Sequence, residues 1–470
     1  MNPIKTIVST LCLSLFTLHS VAQQKPLNPS TASGESCQLT LTTCRQMALK
    51  NNKELAAASK QVDYARYTTR SYRALFLPNF SLNGNGLYST IDGSFGIAGG
   101  NLPTFLPDAT GQMVPNGGYA YFPGMKMDYK VGMVYMGGIS VEQPIYMGGK
   151  INAAYRIAKQ SLLMAQANQT LTEQEVIVAT DQAYTLVVKA QEMSKVARSY
   201  HALLQELMKN VESAYRHGLK PKNDLLKVQV KLNESELNIR KAENALRLAQ
   251  MNLCHYIGLP LITEVKVETD FPNLKEMVSL QTLDVSRRPE AAILDHQVEI
   301  ARQQVKLNRS EALPHIGVKG DYSYMHGLEM NEHNLFNKPA FTALLNVQIP
   351  LFHFGERYNK IKAAKAKLQQ TQLERDNLNE KMLLELTQAA NNLDEAMMEC
   401  EIAERSLRQA DENRRVSYNQ YKAGVESLSD HLEAQALWQQ AWQTHVESRY
   451  QRYISYLQYL KASGTLNVAP

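Results

Sequence analysis

The run Phe80-Ser81-Leu82-Asn83-Gly84-Asn85-Gly86-Leu87-Tyr88 reads in twos. Successive side chains of an extended strand point to opposite faces. Phe80, Leu82, Gly84, Gly86 and Tyr88 therefore share one side, and Ser81, Asn83, Asn85 and Leu87 the other. The pattern returns downstream, where Ile316, Val318, Gly320, Tyr322 and Tyr324 alternate with Gly317, Lys319, Asp321 and Ser323. About ten residues of alternation with tyrosine and glycine is the pattern of a strand in a membrane barrel. Val134–Tyr146 and Phe341–Leu351 supply return strands, which makes four. Pro144 and Pro350 are expected where strand gives way to helix, since proline cannot donate to a ladder.

The chain is written twice. Tyr215-Arg216-His217-Gly218, followed by Asp224-Leu225-Leu226, matches Tyr421-Lys422-Ala423-Gly424, followed by Asp430-His431-Leu432; the two glycines are 206 residues apart. Pro144 and Pro350, and Gly149 and Gly355, keep the same 206-residue offset. Leu77-Pro78 and Leu313-Pro314 are 236 apart instead. The extra residues in the first copy fall over Ile91–Asp128, a stretch rich in Gly, Pro, Tyr and Phe that reads as a long loop.

Each copy orders helix, strand, loop, strand, very long helix, turn and helix. The helices are expected over Leu41–Leu75, Lys150–His217 and Lys222–Tyr256, then Asp284–Ala312, Glu356–Lys422 and Glu426–Ala462. A helix over Lys150–His217 would be about 100 Å long. The two shorter helices of each copy sum to nearly the length of the long one, so they are expected to stack end to end against it. Helices this long need a packing seam. Leu383, Leu386, Ala390, Leu393, Met397 and Cys400 step by three and four as a heptad stripe. A homodimeric coiled coil or a soluble helical bundle would carry the same stripe, and the alternating strands are what speak against it.

The 470 residues carry 50 Lys+Arg against 45 Asp+Glu, a net charge of +5, too weak for a nucleic-acid footprint. Residues 1–22 read as a secretory signal peptide: Lys5, an apolar stretch Ile7–Leu18, and small residues Ser20-Val21-Ala22. No later run reaches eighteen apolar residues, which excludes a transmembrane helix. Cys37 and Cys44 are close enough to pair as a clasp or to stand as two small unpaired hydrophobes. An exported chain with four membrane strands has free strand edges, which a bilayer forbids. Several chains must then share one barrel, with a helical rod beneath it.

With these features the sequence resembles the TolC family of outer-membrane efflux and secretion channels. The likeness is carried by Leu41-Thr42-Thr43-Cys44-Arg45-Gln46-Met47-Ala48-Leu49-Lys50-Asn51-Asn52, the two Leu-Pro openings, Arg288-Pro289-Glu290, the paired Tyr-x-x-Gly turns and Ala462-Ser463-Gly464-Thr465-Leu466-Asn467. The resemblance implies a mixed α/β membrane protein. In it a homotrimer would form a twelve-stranded β-barrel in the outer-membrane lipid, continued by a twelve-helix α-helical tunnel in the periplasm. It also implies that an inner-membrane pump feeds the channel through a periplasmic adaptor. The expected organisation is a signal peptide (1–22), an extended segment (23–40), a first repeat (41–256), an equatorial connector (257–283), a second repeat (284–462) and a tail (463–470).

The resemblance maps the family's gate onto Tyr421 and Gly424, with acidic pore positions at Asp430 and Glu433. Where some members carry a gate arginine, this sequence has Glu426. Independently of the family, the spacing of Glu426, Asp430 and Glu433 puts all three on one face near a helix N-terminus, where negative charge is favoured. Gathered round a symmetry axis they would attract cations; as ordinary first-turn acids they would face solvent. Gly218 and Gly424 suit left-handed helix ends, and Asn223 and Ser427 or Ser429 are available as caps. The tips at Tyr215, Gly218 and Gly424 are candidate adaptor-docking points.

No enzyme chemistry is legible, and no cofactor or metal is expected: there is no phosphate cradle and no His-Glu-x-x-His. Asp181, Asp224, Asp284 and Asp430 are dispersed, and His315, His326 and His333 lie around one strand and its loop. Trp438 and Trp442, four apart, read as packing. The expected function is a passive outer-membrane conduit for export of small molecules. The alternatives are an outer-membrane component for peptide or protein secretion and a secreted coiled-coil rod.

Overall fold

A computed structural model describes residues 38–466 apart from 269–270, 272–283, 332 and 335–336. The expected signal peptide, a Cys37–Cys44 clasp, much of the connector and residues 467–470 lie outside the described residues. In chain order the elements are β1 (Gln38–Leu39), α1 (Leu41–Asn51), α2 (Lys53–Ala74), β2 (Asn79–Tyr88), β3 (Asp92–Ile97), β4 (Gly100–Pro107), β5 (Met113–Phe122) and β6 (Met125–Met147). There follow α3 (Lys150–Arg216), α4 (Lys222–Ile257), β7 (Lys266–Val267), α5 (Pro289–Ser310), β8 (His315–Met330), β9 (His333–Asn334), β10 (Ala340–Gln348), α6 (Glu356–Lys422) and α7 (Leu428–Ala462).

The duplication is structural. The long helices α3 and α6 are each 67 residues, about 100 Å. Each starts at a glycine in the left-handed region, Gly149 (φ 86°) and Gly355 (φ 84°), at the 206-residue offset. The opening helices α2 and α5 are each 22 residues, and their starts keep the 236-residue offset. Helix α3 packs against α2 and α4, and α6 against α5 and α7. Two shorter helices therefore line each long one. At the joint in the first copy, Asn51 Nδ2 donates to the Ile257 carbonyl oxygen at 3.2 Å. A Cβ on Gly258 would lie 2.5 Å from that of Asn51. In the second copy Gly464 presses on Arg287 in the same way.

Three expectations about helices and strands change. The opening helix of the first copy is two helices, because Asn52 turns extended (ψ 129°) and its side chain accepts from the amides of Glu54 and Leu55 as an N-cap. Ile91–Asp128 is a β-arm rather than a loop. β3 pairs with the start of β6, β4 pairs with β5, and the two ribbons meet where Gly99 and Gly124 approach too closely for side chains. The α6 seam keeps the expected Leu386, Leu393 and Cys400 but shifts the positions between them by one residue. Its buried residues are Met382, Leu386, Ala389, Leu393, Ala396, Cys400 and Ala403, whereas Leu383 and Met397 are exposed. Alanine on every second seam position lets the helices approach closely while Leu386 and Leu393 fill the gaps.

The main core lies midway along the helices. Cys44 and Ala48 of α1 meet Tyr184, Val187 and Val188 of α3, Leu253 and Ile257 of α4, and Val267 of β7. A second apolar cluster, with Leu204, Leu207, Val211, Val228 and Leu428, closes the end away from the sheet.

Candidate functional site

The main sheet runs β10-β8-β6-β2, wholly antiparallel, with β2 and β10 at its edges. Its register sorts the side chains by polarity. One row across the four strands is Leu82, Ile139, Tyr322 and Phe341, and the next row on that face is Phe80, Val141, Gly320 and Ala343. On the opposite face Ser81, Ser140, Asp321 and Thr342 form a row, flanked by Asn79, Glu142, Lys319 and Leu344. Ser81 and Ser140 hydroxyls lie 2.6 Å apart, Asn83 Nδ2 donates to Ser140 Oγ at 2.8 Å, and Lys319 pairs with Asp321 at 3.2 Å. The apolar face is open, with Leu82 83% and Phe341 72% exposed. A sheet with one hydrogen-bonded polar face and one bare apolar face is built to separate water from hydrocarbon. No helix of the described residues is long and apolar enough to cross a membrane.

Pro144 and Pro350 flank this wall. Pro144 sits inside β6 opposite Gly317, at a register shift just before the strand ends, and Pro350 follows β10. The ladder accommodates Pro144 at its irregularity because a bulge leaves an N–H unused.

At the far end two helix hairpins turn over. In the first tip Gly218 (φ 76°) closes α3, its amide bonding Tyr215 O at 2.9 Å while the Leu219 amide bonds Ala214 O at 2.9 Å. In the second Gly424 (φ 75°) does the same with Tyr421 O (3.1 Å), and the Val425 amide bonds Gln420 O (2.9 Å). These are paired left-handed helix caps. Each tip carries an exposed apolar residue, Leu219 (76%) and Val425 (80%). The tips are joined: Lys220 Nζ lies 5.1 Å from the centre of the Tyr421 ring, and Lys227 Nζ donates to Ser429 Oγ at 3.0 Å. Burial, with a smaller contribution from Asp224, pushes the Tyr421 hydroxyl above its ordinary pKa. Between α4 and α7 runs a groove of about 530 Å³ lined by Leu226, Val230, Lys231, Leu432, Glu433 and Ala436 among others.

The three acids of this region do not share one face. Helix α7 begins at Leu428 with Ser427 as its cap, so Glu426 precedes the helix. Glu426 turns inward, accepting from Ser417 Oγ at 2.9 Å. Asp430 is exposed and locks the N-cap of α7: Ser427 Oγ accepts from the Asp430 amide at 3.2 Å and donates to Asp430 Oδ2 at 2.7 Å. Glu433 is exposed beside the groove. Asn223 caps nothing, since Pro221 occupies the N-cap of α4.

One buried cluster has no counterpart among the sequence expectations. Asp181, in the middle of α3, receives two hydrogen bonds from Arg45 of α1 and one from Tyr453 of α7. Burial pushes its carboxyl up, and the Arg45 and Tyr453 hydrogen bonds pull against that. The signal that could have found it is an aspartate within the apolar run Val176–Tyr184. Among the described residues no three His, Cys, Asp or Glu side chains converge as a metal site requires.

A sheet with one lipid-compatible face, set on two helix hairpins about 100 Å long, defines the class of outer-membrane channels. The family model of the outer membrane efflux protein matches residues 44–259 and 285–465. The chain belongs to that family, and its place is the outer membrane, with the helical body in the periplasm. It is 24% identical over 255 residues to the alkaline protease secretion protein AprF of Pseudomonas aeruginosa, covering 52% of this chain and about half (51%) of that relative. It is 23% identical over 446 residues to the proteases secretion protein PrtF of Dickeya chrysanthemi, covering 93% and 91%. Its fold is similar to that of the Campylobacter jejuni CmeC outer membrane channel, with a TM-score of 0.74 at 19% identity, covering 92% of this chain and 87% of that one.

Proposed function

We propose that three copies of this chain close one twelve-stranded barrel, β2 of each copy pairing with β10 of the next. The two hairpins of each copy continue it as a twelve-helix periplasmic tunnel. The observation that carries this reading is the sheet itself. Its polar face would line water and its apolar face would meet lipid, but among the described residues its two edges are unpaired within the chain, and a bilayer tolerates no open edge. The conduit passes small molecules delivered by an inner-membrane pump through a periplasmic adaptor. The adaptor docks at the tips, where Tyr215, Gly218, Leu219, Gly424 and Val425 are presented. Tyr421, Asp430 and Glu433 stand at the inner end of the pore. Glu426 belongs to the same tip through its contact with α6 and leaves no arginine at that position.

Protein secretion is the second reading, favoured by the near full-length alignment with PrtF. The test of the conduit is the mass and shape of the particle in mild detergent, with current across planar bilayers. A trimer with a rod about 100 Å long that conducts ions supports it. A monomer that stays in water without detergent and never conducts overturns it. Cargo is separated by gene deletion: loss of small-molecule resistance favours efflux, and loss of an extracellular protein favours secretion.

A further inference from the structure

His431 lies one turn into α7, 1% exposed, and its ring stacks on Tyr421 at 5.3 Å and 5°. Its two ring nitrogens are both engaged. Nδ1 is 3.1 Å from Ser417 Oγ, and Nε2 is 2.9 Å from Gln435 Nε2. The Ser417 hydroxyl has a single proton, which it gives to Glu426 Oε1 at 2.9 Å, because a carboxylate only accepts. Ser417 can therefore only accept from His431, which fixes the proton on Nδ1. Nε2 is then bare and takes a hydrogen from the Gln435 amide. The result is a one-way chain, Gln435 to His431 to Ser417 to Glu426, that runs from α7 through α6 to the turn between them.

We infer that His431 is a positioning residue of the second tip: its neutral form latches Glu426 against α6, and its protonation releases the latch. This rests on the reading of the tips as the inner end of the channel. An imidazolium donates from both nitrogens, so Nε2–H would face the Gln435 amide nitrogen, two donors at 2.9 Å. Turning the Gln435 amide over would relieve that clash, since its Oε1 has no partner among the described residues. The new charge would still be buried beneath Tyr421.

The charged and titratable groups facing the ring come from each packed element. Glu426 of the turn favours the imidazolium, and Arg414 of α6 opposes it. Tyr418 and Tyr421 of α6 contribute ring faces, Gln435 of α7 an amide, and Lys220 of the first tip lies over the Tyr421 ring. Burial is the largest influence and holds the imidazole below its ordinary 6.5. The unlatched tip therefore takes up its proton at higher pH than the latched one. The latch is at full strength above 6.5 and weakens as pH falls below it. Acidification loosens the second tip.

The test is planar-bilayer recording of the full-length protein between about pH 8 and pH 5. Wild-type channels should open more on acidification, by up to about tenfold per pH unit for each proton taken up. His431→Asn keeps a side-chain N–H for Ser417 and cannot take the proton; it should abolish the opening step in this window. Glu426→Gln keeps the acceptor but removes the charge that favours the imidazolium, and should move the step to lower pH. A wild-type step retained in His431→Asn, no step in the wild type, or an upward shift in Glu426→Gln overturns the inference while leaving the conduit intact. Inserted protein that conducts at no pH overturns the conduit itself, and this inference with it. Should His431→Asn not assemble, the direction of the Glu426→Gln shift decides.

Discussion

Arg45 reaches across 136 residues of sequence to hold Asp181, Nε to Oδ1 at 2.8 Å, while its Nη2 bonds Oδ2. Tyr453 adds a hydroxyl donor at 3.1 Å. Three helices meet at this carboxylate: α1, the long helix α3 of the first copy, and α7, the return helix of the second. The Asp181 side chain is fully buried and that of Arg45 mostly so. The clamp therefore fixes the two copies to each other midway along the rod, beside the main core.

Arg45→Ala leaves a carboxylate buried and short of its charged partner. Removing one partner of such a pair costs about 3–5 kcal/mol. Replacing both, as Arg45→Met with Asp181→Leu, should recover much of that loss, since no charge is then stranded. The check is thermal unfolding in detergent followed by circular dichroism. If Arg45→Ala melts with the wild type, the clamp does not hold the rod.

The two faces of the sheet should respond oppositely to charge. Leu82→Lys places an ammonium on the apolar row beside Ile139, at a cost of about 2–4 kcal/mol if that row sits at mid-membrane. Asn83→Lys, one residue on, places it on the polar face and should be tolerated. Heat-modifiable oligomers on gels, counted after membrane extraction, separate the two. Equal tolerance of both would mean that the apolar row does not face lipid.

What is legible in the sequence is whatever repeats or alternates locally. Gly149 and Gly355 mark the starts of both long helices because the same backbone turn recurs at the same offset. The four strands follow from a period of two. Asn52 reads as part of a continuous helix because its cap depends on its own ψ, although Glu54 two residues later is a weak signal. The arm over Ile91–Asp128 has no clean alternation, and its pairing partners, such as Gly93 with Tyr129, lie far apart in sequence. In the α6 seam Leu386, Leu393 and Cys400 are legible, but the positions between them fall one residue earlier than the stripe, on Met382, Ala389 and Ala396, because Leu383 and Met397 outweigh their neighbours in a hydrophobic pattern although they are exposed. No spacing encodes Arg45 with Asp181, or Ser417 with His431; those pairs exist only once α1 meets α3 and α6 meets α7.

Two glycines with similar φ should differ in their tolerance of a methyl group. A Cβ placed on Gly424 (φ 75°) would have nothing within 4 Å, so Gly424→Ala meets only backbone strain of about 1–2 kcal/mol. Gly258 (φ 74°) adds a clash at 2.5 Å with Asn51, at the joint where α1 and α4 meet. Gly258→Ala should therefore lower the melting temperature by clearly more than Gly424→Ala. The reverse order would show that the tip, not the joint, limits stability.

The β-arm should be dispensable for insertion. The contacts of β4 with β5 are made within their own ribbon, and the four-strand register of β2, β6, β8 and β10 does not involve them. Replacing 100–122 with a short turn across Gly99 and Gly124 should leave membrane insertion and oligomer size unchanged. Loss of insertion on gel filtration of the detergent extract would make the arm part of the wall.

Asp430 and Glu433 carry different loads, and charge-neutral variants should expose the difference. Glu433 is exposed beside the α4–α7 groove and takes no part in the N-cap of α7, whereas the Asp430 carboxylate holds the capping hydroxyl of Ser427. Glu433→Gln should lower the preference for cations over anions, read from the reversal potential in a salt gradient, and leave the melting temperature where it was. Asp430→Asn should lower the same preference and also loosen the start of α7, because the ionised acid holds the capping Ser427 hydroxyl and lies at the positive end of the helix dipole. If both variants keep the wild-type reversal potential, neither carboxylate faces the ion path, and the inner end of the pore is set by Tyr421 and the apolar tips instead.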